Sequence, residues 1–265
     1  GVGGTGSATA EQVARLGVED IVLIDKDCFE PSNLTRMYGS FSADTARPRF
    51  APAFRCRRNR LKVDIVAKHI ARINPRARIL PVHGHVASTS VVGHLLDRAV
   101  IFCCTDDHWG RSVVNQIAYQ YMIPVINMGV RIDAADGRIR SATGSVDMLR
   151  PGGACLWCRD FLRTERIRAE SLPEPERHRL RREGYVEGFE TPTPSIVSMT
   201  TTVAGLAVTQ FLQLLTDFMG EVGDTPSLRY SITEGTVRRG GMKPRPGCVC
   251  KAVEGYGDMK PLPTH

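Results

Sequence analysis

Glycine is concentrated at the start of the chain, in the stretch Gly1-Val2-Gly3-Gly4-Thr5-Gly6. The apolar spacing of residues 7–16 predicts a short helix directly after it, and Gly17 is a typical helix stop. The first amides of a helix lack intrahelical partners, so a glycine turn that opens into a helix presents N–H groups to an anion. The stretch is therefore a candidate phosphate-binding loop, with Gly4 and Gly6 as candidate contacts.

A predicted strand and a group of polar residues follow this loop. Residues 20–25 form a short apolar run rich in β-branched residues, which predicts a strand ending at Asp25. An acid at that place in a strand–helix–strand unit accepts hydrogen bonds from ribose hydroxyl groups. The next polar residues are Asp27, Ser32, Asn33 and Arg36. The combination indicates ATP rather than a redox dinucleotide.

With these residues the chain resembles the ubiquitin-activating-enzyme-like adenylyltransferases, the ThiF/MoeB/HesA-like group that includes the molybdopterin-synthase and thiamine-biosynthesis adenylyltransferases. Their pattern is GxGGxGS, a strand ending in DxD, and then SNLxRQ; this chain has Met37 in place of the glutamine. Further matches follow in the family's order over almost the whole chain. They are Lys62, the run Ile73-Asn74-Pro75, the strand end Cys104-Thr105-Asp106-Asp107, Arg111, Asn115 and the cysteine pairs Cys155/Cys158 and Cys248/Cys250.

The resemblance implies a reaction as well as a fold. A carboxylate attacks the α-phosphorus of ATP, giving an acyl-adenylate and pyrophosphate, and charge builds up on phosphate oxygens in the transition state. Cations and a metal ion stabilise that charge. The resemblance assigns these catalytic roles to Arg36, Lys62 and Asp106, with Asp106 also holding Mg²⁺. It assigns the nucleotide site to Gly4, Gly6, Asp25, Ser32, Asn33, Arg36, Lys62, Asp106 and Asp107.

The implied substrate is the C-terminal carboxylate of a small ubiquitin-like protein or peptide, and the family also implies a homodimer. Many relatives carry a cysteine, before the last long helix, that takes the acyl group as a thioester. Here no cysteine lies between Cys158 and Cys248, so we expect the adenylate itself as product, or direct transfer to a partner. Two other functions stay open: activation of a small-molecule or tRNA-borne carboxylate, and nucleotide binding without catalysis in a scaffold.

Four of the eight cysteines form two close pairs, Cys155/Cys158 and Cys248/Cys250. Such pairs indicate one tetrahedral Zn²⁺ site of four thiolates, which has no open position and is therefore structural. An extended backbone would point the thiols of the second pair to opposite faces, but a turn after Pro246-Gly247 allows both to face inward. Paired reduced thiols are the alternative. Cysteines this sparse predict a cytoplasmic chain rather than a disulfide scaffold.

Lysine and arginine outnumber the acids by 35 to 28, a net charge of +7. The excess is concentrated in residues 47–60, with six arginines and no acid, and in residues 163–182. We expect the first segment to be a solvated loop that attracts an acidic partner or a triphosphate, rather than nucleic acid. The uncharged run 194–216 is too rich in Ser, Thr and Gln for a membrane span and predicts a buried core helix.

The elements that must position these residues alternate along the chain. Strands are predicted near 20–25, 78–82, 99–104 and 123–128, and helices near 61–74, 88–97 and 109–121. This alternation predicts a Rossmann-like α/β fold, with a mostly parallel sheet flanked by helices, and residues 136–148 predict paired antiparallel strands. We expect a nucleotide-binding half over 1–135, and an acceptor-binding, crossover and zinc-clip half over 136–265 of the same domain.

The resemblance implies one further strand, before the glycine loop and at the centre of the sheet, whereas this sequence begins inside the loop. We therefore expect a sheet that lacks its first strand and exposes ladder groups and apolar faces. We also expect the 265-residue chain to be poorly soluble or inactive by itself.

Overall fold

The structure, a computed structural model, describes residues 1–45, 60–173, 176–177, 179 and 195–264. Most of the arginine-rich segment 47–60 and the stretch 180–194 lie outside these ranges. The expectation of a solvated loop over 47–60 therefore stays a prediction.

Helices and strands alternate through the first half of the chain, as the hydrophobic pattern predicts. The helices are α1 (Gly4–Arg15), α2 (Lys62–Ile73), α3 (Thr89–Val92), α4 (His108–Gln120), α5 (Thr164–Ser171), α6 (Val197–Thr216) and α7 (Val249–Val253). The strands are β1 (Asp20–Asp25), β2 (Arg78–His83), β3 (Ile101–Cys103), β4 (Val125–Ala135), β5 (Arg138–Leu149), β6 (Ser227–Ser231) and β7 (Thr236–Gly240). The helix expected over 88–97 is shorter, since Gly93 begins a 3₁₀ turn.

Helix α1 begins at Gly4, three residues earlier than its apolar spacing predicts, so the glycine loop supplies its first turn. Its buried face consists of small residues such as Ala8 and Ala14, which let the helix pack closely on α6 and α2. Gly17, at φ +87°, follows its C-cap residue Leu16, as the sequence predicts.

The α/β fold class is confirmed, with parallel strands flanked by helices and an antiparallel extension. β1 pairs with β2 in parallel, and β3 pairs with β4 in parallel. From β4 onward the pairing is antiparallel: β4 and β5 form a hairpin, and β6 and β7 continue the sheet. The carboxyl ends of β1 and β3 are where an open α/β sheet binds its ligands.

Helix α6 packs its buried face on the sheet. Val203, Ala207 and Phe211 contact the β4–β5–β6 side of the core, which confirms the buried core helix expected over this uncharged run. Within the described part of the chain, no helix is both long and apolar enough to cross a membrane.

A cavity of about 640 Å³ separates the two sheets, which run in the order β1-β2 and β3-β4-β5-β6-β7. It is lined by apolar side chains of β1, β3 and α1, among them Val22, Phe102 and Val13. At one end Arg98 bonds to Asp20 at 3.2 Å. Among the described residues no strand lies between β1 and β3, so the expected gap in the sheet is present.

The proposed division of the chain at residue 135 falls at the hairpin turn between β4 and β5. Because β4 and β5 belong to one sheet, both halves share a core. The division into functional halves stays a prediction.

Candidate functional site

The glycine loop leaves the first amides of α1 available for an anion. The N-cap residue Gly3 makes no side-chain capping bond, and the first turn contains no acid. A Cβ at Gly6 would lie 1.9 Å from the carbonyl oxygen of Gly1, and one at Gly4 would lie 3.3 Å from Cδ of Arg36. Glycine at position 6 is therefore required by backbone packing, while Gly4 brings the loop against an arginine.

Asp25 fastens this loop to the end of β1. Its Oδ2 accepts from the backbone N–H of Val2 at 2.7 Å, and its Oδ1 accepts from the N–H of Asp27 at 2.9 Å. Gly1 in turn lies against the backbone of Cys104. The loop therefore spans the carboxyl ends of β1 and β3.

Lys62 is brought to this edge by a short stretch of backbone pairing. Cys28 and Leu61 form an isolated antiparallel bridge, and the N–H of Lys62 donates to the carbonyl of Asp27 at 3.2 Å. The ammonium of Lys62 then donates to Oδ2 of Asp27 at 2.6 Å. The N-terminus of α2 is thus held beside the end of β1, with its lysine largely shielded from solvent.

Arg36, Ser32 and Asn33 lie in the segment after β1. Arg36 Nη1 donates to the carbonyl oxygen of Ser32 at 2.9 Å, whereas Ser32 itself is exposed. Asn33 is buried and its Oδ1 accepts from the N–H of Glu30 at 3.0 Å, capping a 3₁₀ turn. The structure therefore uses Asn33 to shape the turn and leaves Arg36 beside the glycine loop.

The two aspartates after β3 have different surroundings. Asp107 is the N-cap of α4, and its carboxylate accepts from Gly110 N–H and from the Thr105 hydroxyl. His85 Nε2 lies 3.3 Å from its Oδ1. Although burial opposes the shift, these hydrogen bonds hold the pKa of the Asp107 carboxyl well below its usual range. Asp106, in contrast, is exposed.

His85 and Trp109 form a layer behind Asp107. The N–H of Ala87 donates to His85 Nδ1 at 3.1 Å, so Nε2 carries the proton that points to Asp107. The imidazole stacks on the indole of Trp109, with ring centroids 4.5 Å apart. No sequence pattern indicated this layer, because His85 lies in the loop after β2 and Trp109 lies in α4, which are distant along the chain.

Helix α5 packs over the N-terminus of α4. Glu170 Oε2 accepts from the N–H of Trp109 at 2.8 Å, and burial raises the pKa of this carboxyl. His108 accepts from the N–H of Arg163. Burial, and then the charges of neighbouring arginines such as Arg166, lower the pKa of His108 to about 4. This imidazole is therefore neutral near pH 7.

Arg111 and Asn115 of α4, which the family pattern includes, serve backbone contacts. Arg111 Nε donates to the carbonyl of Thr105 at 2.8 Å, and its guanidinium lies 4.7 Å from the ring centroid of Phe161. Asn115 Oδ1 accepts from the N–H of Leu156 at 2.8 Å. These side chains join α4 to the β3 end and to the first cysteine pair.

The four paired cysteines converge into one cluster. Its members are Cys155, Cys158, Cys248 and Cys250, whose sulfurs all lie within 4.8 Å of one another. Neighbouring sulfurs are 3.5 to 3.9 Å apart, and a tetrahedral zinc with bonds of about 2.3 Å would place them about 3.8 Å apart. The cluster therefore fits Zn²⁺.

The second cysteine pair reaches the cluster through a turn, as its spacing requires. Gly247 has a φ of +70°, and Cys248 is the N-cap of α7. Burial raises the pKa of Cys250 to about 12. For Cys158, the hydrogen bond from the Arg245 N–H outweighs burial and lowers the pKa to about 7.

The Tyr119 hydroxyl lies near the cluster. It is buried and has no hydrogen-bond partner among the described residues, and its pKa is raised by burial and then by the neighbouring cysteine charges. Outside the cluster, Cys28 is disulfide-bonded, whereas Cys103 and Cys104 are free.

A family model described as the ThiF family matches residues 1–250. The chain belongs to the ThiF family. The family recognised from the glycine loop, the DxD strand end and the cysteine pairs is thereby confirmed, and the nucleotide-binding Rossmann-like fold belongs with it.

Relatives include the ubiquitin-like modifier-activating enzyme 5 of Drosophila persimilis, 28% identical over 264 residues. The enzyme of the same name from Aedes aegypti is 27% identical over 261 residues. Each alignment covers 94% of this chain, but only 58% and 56% of the relatives. The chain therefore spans a little over half the length of these curated relatives.

Solved structures with the same fold include E. coli MccB with MccA-N7isoASN and MccB with ATP. Their TM-scores are 0.69 and 0.67, at 16% identity, over 94% of this chain and 65% and 64% of those chains. At this identity the likeness shows the fold alone.

Several residues of the family pattern therefore have structural roles in this ThiF-family chain. The structure brings Gly4, Arg36, Asp25 and Lys62 to the end of β1, through direct contacts or through Asp27. The side chains of Asn33 and Asp107 cap a 3₁₀ turn and a helix, so their polar atoms already have hydrogen-bond partners. Side-chain contacts of Asp106 and Ser32 with these residues are not observed within the described ranges.

Proposed function

We propose that this chain binds ATP with Mg²⁺ at the carboxyl ends of β1 and β3 and adenylates the C-terminal carboxylate of a small ubiquitin-like protein or peptide. The products are an acyl-adenylate and pyrophosphate. The observation that supports this most is the placement of Arg36 against Gly4 and of Lys62 beside the end of β1. Arg36 therefore lies against a helix N-terminus that has no side-chain cap, and Lys62 lies beside the strand end to which Asp25 joins the glycine loop.

Each side chain has a task in this proposal. The amides at Gly4 to Gly6 bind phosphate oxygens, because helix N-termini favour anions. Asp25 would accept from ribose hydroxyls with the lone pairs left free by its bonds to the N–H groups of Val2 and Asp27, and Ser32 and Asn33 would form the wall of the site. Arg36 and Lys62 stabilise the charge that builds up on the α-phosphate in the transition state.

Asp106 fits Mg²⁺ better than its neighbour does. Carboxylate oxygens are the ligands that Mg²⁺ prefers. The oxygens of Asp107 already accept from Thr105, Gly110 and His85, whereas Asp106 is exposed. The ion would neutralise phosphate charge, and Asp107 would shape the loop that presents Asp106.

The partner is inferred from the relatives. The fly and mosquito enzymes are named as activators of a ubiquitin-like modifier, and the MccB structures are titled with MccA. We therefore propose a protein or peptide carboxylate as the substrate. The homodimer that the family resemblance implies stays a proposal. The cysteine cluster would hold a structural Zn²⁺.

Calorimetry with ATP tests the nucleotide site, on the chain extended upstream by the strand that the family resemblance implies, in the presence of Mg²⁺ or of EDTA and with NAD as the competing ligand. We expect binding of ATP with Mg²⁺, weakened by at least about tenfold in Asp106→Ala, and no binding of NAD. ATP-dependent pyrophosphate release with a candidate peptide then tests the reaction. Binding of NAD in place of ATP would refute the site, and binding without pyrophosphate release for every carboxylate offered would favour a scaffold.

A further inference from the structure

A segment near the end of the described chain runs along the outer face of α4. We call residues 257–264 the strap. Gln120, which is buried, donates through Nε2 to the carbonyls of Gly257 and Lys260 at 2.7 and 2.6 Å. Gln116 Nε2 donates to Gln120 Oε1 at 2.6 Å and to the carbonyl of Pro261 at 3.3 Å. The strap is thus held by its backbone, through side chains of one helix face.

The far end of the strap reaches Trp109, at the N-terminus of α4. The indole Nε1–H donates to the carbonyl of Pro263 at 3.3 Å, and Thr89 bonds to Thr264 at 3.2 Å. Leu262 packs against the core beneath. Trp109 and Gln120 are eleven residues apart, or about 16 Å along the helix. The strap therefore links two places on α4 that do not touch each other.

Trp109 connects the strap to the loop that carries the two aspartates. Its indole stacks on His85, whose Nε2 faces the carboxylate of Asp107. Its backbone N–H is bonded to Glu170 of α5. Fixing the indole thus fixes one wall of the loop from Thr105 to Asp107.

We propose that Gln116, Gln120 and Trp109 are positioning residues of the nucleotide site, and that they act by clamping the strap against α4. The clamp holds Trp109, which holds His85 and the Asp106–Asp107 loop in the shape that receives Mg²⁺. The effect on Mg²⁺ and ATP rests on the proposed function. The hold of the strap on Trp109 and on the Asp106–Asp107 loop does not depend on that function. At its other end the strap follows α7, and just before it the N–H of Gly255 donates to the carbonyl of Tyr119 in α4 at 3.0 Å.

The test uses the whole chain with Gln120→Met, which keeps the length of the side chain and removes both donors to the strap. The matched control is Gln210→Met, a buried glutamine of α6 that makes no described contact with the strap. Hydrogen–deuterium exchange is followed at residues 105–110 and 257–264. ATP affinity is measured with Mg²⁺ and with EDTA.

In Gln120→Met we expect amides of both segments to exchange at least about tenfold faster, since a released strap frees Trp109. The gain in ATP affinity that Mg²⁺ provides should fall by roughly threefold or more, with the affinity in EDTA unchanged. The control should alter neither segment. Faster exchange of the strap alone, with residues 105–110 unchanged, would overturn the proposal.

A second variant tests whether Gln120 affects residues 105–110 through the strap or through α4 itself. Trp109→Phe keeps a ring on His85 but removes the donor to Pro263. If the effect passes through the strap, adding Gln120→Met to Trp109→Phe produces no further change at residues 105–110. Additive changes in exchange would show that Gln120 does not act through the strap. A wild-type chain that fails to bind ATP would refute the proposed function, while the exchange data would still test whether the strap holds residues 105–110.

Discussion

The ammonium of Lys62 lies 2.6 Å from Oδ2 of Asp27, and this pair joins the N-terminus of α2 to the segment after β1. Asp27 is 49% exposed, so solvent screens the pair and its loss should cost less than about 1 kcal/mol of unfolding free energy. The pair positions a cation more than it stabilises the fold.

Lys62→Met should therefore leave the melting temperature nearly unchanged and weaken ATP binding by about tenfold or more, because a phosphate loses its cation. Calorimetry and thermal denaturation check this. Asp27→Asn is the partner variant, which keeps the lysine and should weaken ATP binding less. Lys62→Met with wild-type affinity would exclude the residue from the site.

Asp106→Ala and Asp107→Ala should have opposite profiles. Asp106 is exposed, so its removal should change unfolding free energy by less than about 0.5 kcal/mol while abolishing the Mg²⁺-dependent gain in ATP affinity. Loss of the Asp107 cap leaves three donors unpaired and should lower the unfolding free energy by roughly 2–4 kcal/mol. Chemical denaturation and calorimetry separate the two, and equal destabilisation by both substitutions would contradict the assignment.

The pH dependence of stability should report Asp107. Its pKa in the folded chain is lowered from an ordinary value of 3.8, so the carboxylate contributes its full stability above that value and loses it as the pH falls toward the lowered pKa. The difference in melting temperature between wild type and Asp107→Asn should be constant from about pH 5 to 8 and shrink below about pH 4. A difference that grows on acidification would show that another group dominates.

Gly6→Ala should disrupt the loop, whereas Gly3→Ala should not. The new Cβ at position 6 would meet backbone, Gly1 O at 1.9 Å, while nothing lies within 4 Å of one at position 3. Since backbone cannot move aside like a side chain, we expect a loss of roughly 1–3 kcal/mol for Gly6→Ala, together with weaker ATP binding. Equal unfolding free energies of the two variants, measured by urea denaturation, would show that position 6 is not packed against the backbone of Gly1.

Metal analysis should find about one zinc per chain. Cys250→Ser should lose it and lower the melting temperature by at least about 6 °C, the shift that roughly 3 kcal/mol produces in a chain of this size. Cys103→Ala, which changes a buried cysteine outside the cluster, should retain the zinc. Purified chain that binds no zinc under reducing conditions would leave the cluster as paired thiols.

The sequence predicted the elements well, because burial imposes a period on each of them. β1 and α2 are found where the apolar spacing places them, and the turn at Gly247 follows from the need to converge two thiols. The duties of Asn33 and Asp107 were not predictable in the same way. A capping aspartate and a metal-binding aspartate look alike in sequence, and only the donors around each one distinguish them.

The strap was also beyond the reach of the sequence. It is held by backbone carbonyls that accept from Gln116, Gln120 and Trp109. Every residue has such a carbonyl, so the residue types of the strap do not reveal these bonds. The layer of His85 on Trp109 escaped for a related reason. Both depend on contacts between distant segments, which local patterns do not record.

The contacts of Asp25 and Asp27 connect three parts of the chain in series. Asp25 accepts from the N–H groups of Val2 and Asp27, and the carboxylate of Asp27 accepts from the ammonium of Lys62. The glycine loop, the end of β1 and the start of α2 therefore share one line of hydrogen bonds. A shift of α2 would consequently be transmitted to the loop through two carboxylates, without any contact between the helix and the loop themselves.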